Sequence, residues 1–111
     1  MTKVYVPQIP SRFDQQIKRW VPVMNLDPAK QFGDIEILLP PDGGRIPAKD
    51  ITQIIAKGLK PITPQDWLLA IGDPLAIGVM MIYAARYLNG ELRVLRWDKR
   101  SSQYHQLTVS L

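Results

Sequence analysis

Five segments of the chain have the hydrophobic pattern of β-strands. Alternation of apolar and polar residues is typical of a strand with one covered face, whereas an unbroken apolar run indicates a strand covered on both faces. The run from Trp67 to Ile71 is of the second kind, and the segment from Tyr104 to Leu111 alternates strictly. The predicted strands are Lys3–Val6, Asp34–Leu39, Trp67–Ile71, Leu92–Trp97 and Tyr104–Leu111.

Two further segments have helical patterns. Residues 48–59 place apolar side chains three and four positions apart, which predicts an amphipathic helix. The segment Pro74–Leu88 is apolar over most of a helical circumference, so we expect a heavily buried helix. Asp73 precedes it as a suitable cap, and proline is tolerated in a first helical turn.

The element order β-β-α-β-α-β-β predicts one α/β domain over residues 1–111. Strands joined through helices are parallel by right-handed crossovers, whereas the last two strands form an antiparallel hairpin. The predicted fold is a small mixed, mainly parallel sheet with two helices and a C-terminal antiparallel hairpin. Residues 11–33 have no clean period, although residues 25–30 predict one helical turn with Asp27 as its cap.

The chain is mildly basic, and its positive charge is concentrated near the C-terminal end. Its 111 residues include 14 Lys and Arg against 10 Asp and Glu, for a net charge of +4. The segment Arg86–Arg100 holds five cations and two carboxylates, which favours an anionic partner. The sequence has no cysteine and no apolar segment of signal-peptide or membrane-spanning length. We therefore expect a cytoplasmic protein with no membrane contact.

Two turns that contain glycine are candidate ligand sites. Gly72 and Asp73 form a corner between a predicted strand and a predicted helix, where α/β sheets commonly bind ligands. Asp73 would cover the helix amides with its own carboxylate, so a structural cap is the favoured interpretation. The second turn contains Gly43, Gly44 and Arg45, which could clamp an anion. It lacks the Lys-Ser/Thr ending of a phosphate loop, so a plain turn is favoured.

Residues suited to catalysis or metal binding are few. His105 is the only histidine, and its alternation with apolar residues predicts a half-buried side chain. One histidine, no cysteine and no suitably spaced carboxylates predict neither a metal nor a cofactor. Ser101 and Ser102 have no nucleophile-elbow context. An enzyme is therefore the less favoured interpretation.

The predicted C-terminal hairpin combines cations with aromatic residues. Arg, Trp and Tyr are frequent anchors of protein interfaces, and Arg beside aromatic rings also suits nucleic acids. The alternative interpretation is a solvated edge whose charges prevent aggregation. The predicted binding residues are Arg93, Arg96, Trp97, Lys99, Arg100 and Tyr104.

Segments along nearly the whole chain resemble small, mostly uncharacterised proteins of tailed bacteriophages and prophages. They include Leu38–Pro41, Gly72–Gly78, Arg93–Asp98 and Leu107–Leu111. The resemblance implies a phage gene acting in the host cytoplasm and implies no activity. In element order the chain also resembles, more weakly, the Csx3-type proteins of CRISPR systems. That resemblance implies a nuclease-like scaffold, but residues 75–86 lack the histidine that this family uses in the corresponding helix.

Together these patterns predict a small phage accessory protein that binds a host or phage macromolecule, protein or nucleic acid, through the basic hairpin. One alternative is a nucleotide- or cyclic-oligonucleotide-binding, degenerate nuclease-like protein that uses the two glycine turns. Another alternative is a virion or assembly component. A homodimer is also an expectation, because a hairpin edge can pair across a two-fold axis.

Overall fold

The chain alternates short strands with two helices, as its hydrophobic pattern predicts. The computed structural model describes residues 2–41 and 46–111. Its elements are β1 (Lys3–Val6), β2 (Ser11–Asp14), β3 (Arg19–Pro22), a 3-10 helix (Asp27–Phe32), β4 (Asp34–Ile37), α1 (Ala48–Gly58), β5 (Trp67–Leu69), α2 (Pro74–Tyr87), β6 (Glu91–Asp98) and β7 (Gln103–Ser110).

Five of the strands form one sheet in the order β4-β1-β5-β6-β7. The pairs β1–β4, β1–β5 and β5–β6 are parallel, and β6–β7 is an antiparallel hairpin. The predicted fold class is therefore confirmed. The connections from β4 through α1 to β5 and from β5 through α2 to β6 cross the sheet in one direction. The connection from β1 to β4 crosses it in the opposite direction. Right-handed crossovers therefore place both helices on one face and the 3-10 helix on the other.

Each face of the sheet has its own hydrophobic core. Tyr5 and Leu68 lie on the helical face and pack with Ile55 of α1 and Met80 of α2. Side chains from neighbouring positions of the same strands turn to the opposite face, where they pack with Leu26 and Ala29 of the 3-10 region; these are Val4, Val6, Trp67 and Leu69. All three residues of β5 are buried. The apolar run that begins at Trp67 therefore does indicate a strand covered on both faces.

The pair β2–β3 is a separate two-stranded antiparallel sheet that the sequence pattern does not predict. Its strands have four residues each, and Lys18 adopts a positive φ of 56° in the turn between them. Phe13 and Trp20 face each other across the pair with ring centroids 5.7 Å apart. Most of the hairpin is exposed. Without a buried face, the pair leaves no regular alternation in the sequence.

The predicted helical turn near residue 27 is present, but Asp27 is not its cap. Leu26 occupies the capping position, and Asp27 is the first residue of the 3-10 helix. The side chain of Asn25 accepts a hydrogen bond from the Asp27 N–H at 3.0 Å. The Asp27 carboxylate instead pairs with the Lys30 ammonium group at 2.7 Å, an interaction within the helix itself.

Helix α2 is buried along one side only, so the prediction of a heavily buried helix is wrong. Ala76, Val79, Met80 and Ala84 are buried, whereas Ile82 is 61% exposed. Helix α1 packs on one flank of α2, and no other α-helix of the described residues covers the opposite flank. Within the described part of the chain, no helix has both the length and the apolar character needed to cross a membrane.

Candidate functional site

The β6–β7 ribbon is the longest paired element of the sheet and contains the predicted binding residues. Its register runs from Glu91 opposite Ser110 to Asp98 opposite Gln103. Residues opposite each other in an antiparallel pair project to the same face. Arg96 and His105 therefore share the face of the sheet that carries the helices, and Trp97 and Tyr104 share the other face.

Asp98 organises the turn between β6 and β7. Its carboxylate accepts hydrogen bonds from the Arg100 N–H and from the Ser101 hydroxyl, both at 3.0 Å. The Nε2 of His105 lies 3.3 Å from the same carboxylate. The Arg100 N–H and then the Ser101 hydroxyl contribute most to holding the pKa of Asp98 below its usual range. The turn therefore has a defined shape, because one carboxylate hydrogen-bonds to two of its residues.

Three predicted binding residues lie exposed around this turn: Arg96, Lys99 and Arg100. We call these three cations the basic tip. Together with Trp97, Asp98 and His105 they line a concavity of about 390 Å³. His105 is more exposed than its alternation with apolar residues predicts, with 54% of its side chain accessible. The tip can therefore present positive charge and a histidine to one ligand.

Arg93 and Tyr104 are not part of the basic tip, because their side chains make internal contacts. The Arg93 guanidinium stacks 3.7 Å above the Trp67 ring and donates a hydrogen bond to the Gln65 carbonyl at 3.0 Å. Tyr104 is 6% exposed and meets Trp97 edge to face at 4.9 Å, and burial raises the pKa of its hydroxyl. Arg93 and Tyr104 thus stabilise the ribbon, and the structure does not bring them to the tip.

The corner at Gly72 and Asp73 is filled by the side chain of Gln8. Gln8 is buried at the end of β1, where its Oε1 accepts from the Asp73 N–H at 3.2 Å. Its Nε2 lies within hydrogen-bond distance of the Pro40 and Pro41 carbonyls, at 3.4 and 3.5 Å. The Asp73 carboxylate accepts from the Ala76 N–H at 3.1 Å and so caps α2. These contacts support the structural interpretation of the corner.

Glycine is required at position 72 by this packing. Gly72 has a φ of +105°, and a Cβ atom there would lie 2.6 Å from the Gln8 carbonyl oxygen. The close approach lets one glutamine join the chain segments that follow β1, β4 and β5. The strand-to-helix corner is therefore a junction of the fold.

The remaining candidates divide into those the structure describes and those it does not. The turn with Gly43, Gly44 and Arg45 lies outside the described residues. The Ser101 hydroxyl donates a hydrogen bond to the Asp98 carboxylate and is therefore part of the turn between β6 and β7. Within residues 2–41 and 46–111, no three histidine, aspartate or glutamate side chains are grouped to hold a metal ion.

A groove that the sequence interpretation missed lies between α2 and the outer part of the ribbon. We call it the edge groove; its volume is about 420 Å³, and its lining residues are Met81, Ile82, Ala85, Leu92, Val94, Val109 and Leu111. All seven side chains are apolar. The signal was present in the alternation of Leu107, Val109 and Leu111 and in the apolar circumference of α2. Both patterns predict core positions, because periodicity indicates an apolar face and does not indicate what covers that face.

A protein-family model matches nearly the whole chain. A family model described as Phage Pam3 gp32-like protein matches residues 2–111. No curated protein matches the chain, and no solved structure matches it either. The resemblance to small phage proteins is confirmed by the family match, and the similarity to Csx3-type proteins stays a prediction.

Proposed function

The chain belongs to the Phage Pam3 gp32-like protein family, and from this premise we propose that it is an accessory protein that binds an acidic macromolecule through its basic tip. The observation that carries the proposal is the exposure of Arg96, Lys99 and Arg100 around one ordered turn. The macromolecule belongs to the host or to the phage. An acidic protein segment is the favoured class.

The three cations of the tip have no salt-bridge partner among the described residues. The salt bridges among the described residues join Lys30 to Asp27 and His105 to Asp98. Arg93, by contrast, is held against Trp67. A charge that is neither paired nor stacked is available to a ligand, and its contribution to binding weakens with added salt.

Order within the turn supports binding by the tip. The Asp98 hydrogen bonds fix the backbone of Arg100, and the edge-to-face contact with Tyr104 fixes the ring of Trp97. A group that is already ordered loses less conformational entropy when a partner binds. The tip therefore combines charge with preorganisation. An exposed lysine on a helix has the charge without the preorganisation.

The size of the tip favours a protein over nucleic acid. Nucleic-acid binding depends on neutralising several phosphates, and its salt dependence grows with their number. Three cations grouped with Trp97 suit a compact acidic protein site better, since Arg and Trp are common interface anchors. Nuclease treatment of captured material separates the two classes of partner.

The test is affinity capture from infected host cells with the tagged protein and two double variants. Lys99→Ala with Arg100→Ala removes two charges from the tip. Lys57→Ala with Lys60→Ala removes two charges from exposed positions on α1 and the turn after it. The two double variants have the same net charge, so any difference between them reports the position of the charge.

We expect the tip variant to lose a partner that the α1 variant retains. We also expect capture by the wild type to decrease with added salt and to resist nuclease. Equal capture by both double variants would contradict a role for the tip. Loss of the partner after nuclease treatment would assign the tip to nucleic acid.

A further inference from the structure

Strand β7 has a free side along its whole length within the described residues, because it is the last strand of the sheet. The Leu111 N–H donates to the Gly90 carbonyl at 2.9 Å. With the register of the pair, this bond shows which residues of β7 direct their main-chain groups toward β6 and which direct them away. In such a ladder every second residue directs its main-chain groups away from the partner strand. These outward residues are Tyr104, Gln106, Thr108 and Ser110.

The exposed edge has none of the usual protection against strand pairing. Between Gln103 and Ser110 there is no Asp, Glu, Lys, Arg or Pro. Natural proteins commonly protect such an edge by shortening it, by adding charge or proline, or by covering it. An unprotected edge of eight residues is therefore suited to pairing with another strand.

The edge groove lies beside this strand, on the face of the sheet that carries the helices. Leu107 is 41% exposed and Val109 is 43% exposed on that face. Both are opposite buried residues of β6, namely Val94 and Leu92. A strand that extended the sheet beyond β7 would place its own side chains next to these two residues and beside Ile82 of α2.

We infer that the occupant of this edge is a second copy of the chain, with β7 pairing antiparallel to β7 of the other copy across a two-fold axis. A two-fold axis perpendicular to the sheet keeps the helices of both copies on the same face, so the two edge grooves meet. Each copy then supplies the same outward main-chain groups, around Gln106 and Thr108, to the other.

The charges of the chain are compatible with this arrangement. Since β7 has no formal charge apart from that of a protonated His105, a second β7 introduces no like-charge pair along the strands. Antiparallel pairing places the two basic tips at opposite ends of the joined strands. Eight residues span roughly 27 Å, which is several times the screening length of about 8 Å at physiological salt. The tips therefore do not oppose association.

The test measures the mass of the protein in solution by light scattering during gel filtration, from low to high micromolar concentration. We expect twice the 12.6 kDa of one chain. Leu107→Glu places like charges beside each other in the dimer and should raise its dissociation constant about 100-fold. Ile37→Glu is the matched control, because Ile37 is 46% exposed at the β4 edge. That variant should remain dimeric.

A second variant tests the main-chain pairing and covers the case in which Leu107→Glu fails to fold. Thr108→Pro removes an outward N–H that β6 does not use, which an edge strand tolerates. It should give a folded monomer by circular dichroism and light scattering. A monomeric wild type at every concentration would overturn the inference and leave the edge to a different protein. Dimers that survive Thr108→Pro, or that dissociate with Ile37→Glu, would overturn it as well.

This inference stands apart from the proposed function, and the two fail separately. Lys99→Ala with Arg100→Ala should lose the acidic partner and remain a dimer. Thr108→Pro should become a monomer, and each monomer still carries its basic tip. A dimer without partner binding would contradict only the proposed function, and a partner-binding monomer would contradict only the dimer.

Discussion

The two edges of the sheet differ in length and in charge. Strand β4 has four residues and carries Asp34 and Glu36, whereas β7 has eight residues and no Asp, Glu, Lys or Arg. A short edge with two carboxylates is poorly suited to pairing with a copy of itself. The same sheet thus has one edge that resists association and one edge that permits it.

The two edges also differ in how the chain reaches them. Gly33, directly before β4, packs against the backbone of Thr2, and the two residues after β4 hydrogen-bond to the last residue of β1 and to the residue that follows it. Strand β7 is connected by a four-residue turn and is held by β6 alone in the sheet. The protected edge is therefore fixed at both ends by the fold, and the unprotected edge depends on its single neighbour.

The largest expected effect on stability comes from a substitution at Gly33, directly before β4. A Cβ atom at Gly33 would lie 2.6 Å from the Thr2 carbonyl oxygen and 2.8 Å from its carbon. The same oxygen accepts from the Asp34 N–H at 3.1 Å. Because both contacts are with backbone, Gly33→Ala should lower the free energy of unfolding by about 3 kcal/mol. Urea denaturation measures the loss.

The control for this prediction is a glycine with open space around it. A Cβ atom at Gly78, in α2, would have no heavy atom within 4 Å. Gly78→Ala should raise the free energy of unfolding by roughly 1 kcal/mol, since glycine is a poor helix former. An equal response of the two glycines would show that the contact with Thr2 does not hold the β4 edge.

The next largest effect on stability concerns β6, the strand that pairs with β7. Arg93→Ala removes the stacking on Trp67 and the hydrogen bond to Gln65, which join β6 to the chain around β5. The loss should be about 1–2 kcal/mol in urea unfolding. Arg96→Ala, at an exposed position of the same strand, should stay within about 0.5 kcal/mol of the wild type. Equal losses would contradict the separation of the anchoring arginine from the basic tip.

Most of the fold was predictable because burial leaves a period in the sequence. The apolar run from Trp67 and the spacing of Ile51 and Ile55 both reflect positions that are buried in the structure. Asn89 and Gly90 end α2 with positive φ angles of 56° and 85°, which their residue types favour. The β2–β3 hairpin was not predictable in the same way, since it is largely exposed and has no buried side to set a period.

The candidate site was less predictable, because it depends on neighbours in space. Arg93 and Arg96 lie three positions apart in one strand, and composition does not distinguish them. They differ because alternation turns Arg93 toward Trp67 of the adjacent strand and leaves Arg96 exposed. The edge groove has the same cause. The apolar faces of α2 and β7 were recognisable, but the missing cover between them follows only from the strand order.

A smaller effect, on association through β4, should appear when the charges of the β4 edge are removed so that it resembles the β7 edge. Asp34→Asn with Glu36→Gln removes both carboxylates of β4, and the Leu107→Glu background prevents pairing through β7. We expect the average mass to rise only at high micromolar concentration, because four residues offer few main-chain hydrogen bonds. Light scattering measures the rise. A mass that stays at 12.6 kDa would show that shortness, and not charge, protects β4.

The smallest effect concerns the one carboxylate at the end of the β7 edge. Asp98 has a structural role in the turn, because its oxygens accept hydrogen bonds from the Arg100 N–H and the Ser101 hydroxyl. Since these bonds hold its pKa below the ordinary 3.8, they order the turn above that pH and are lost as the pH falls through the lowered pKa. An NMR titration should show the Arg100 amide signal moving with a midpoint below pH 3.8. Asp98→Asn should remove that movement without changing global unfolding. A wild-type midpoint at or above the ordinary pKa would mean that Asp98 acts as a solvated edge charge, like the carboxylates of β4.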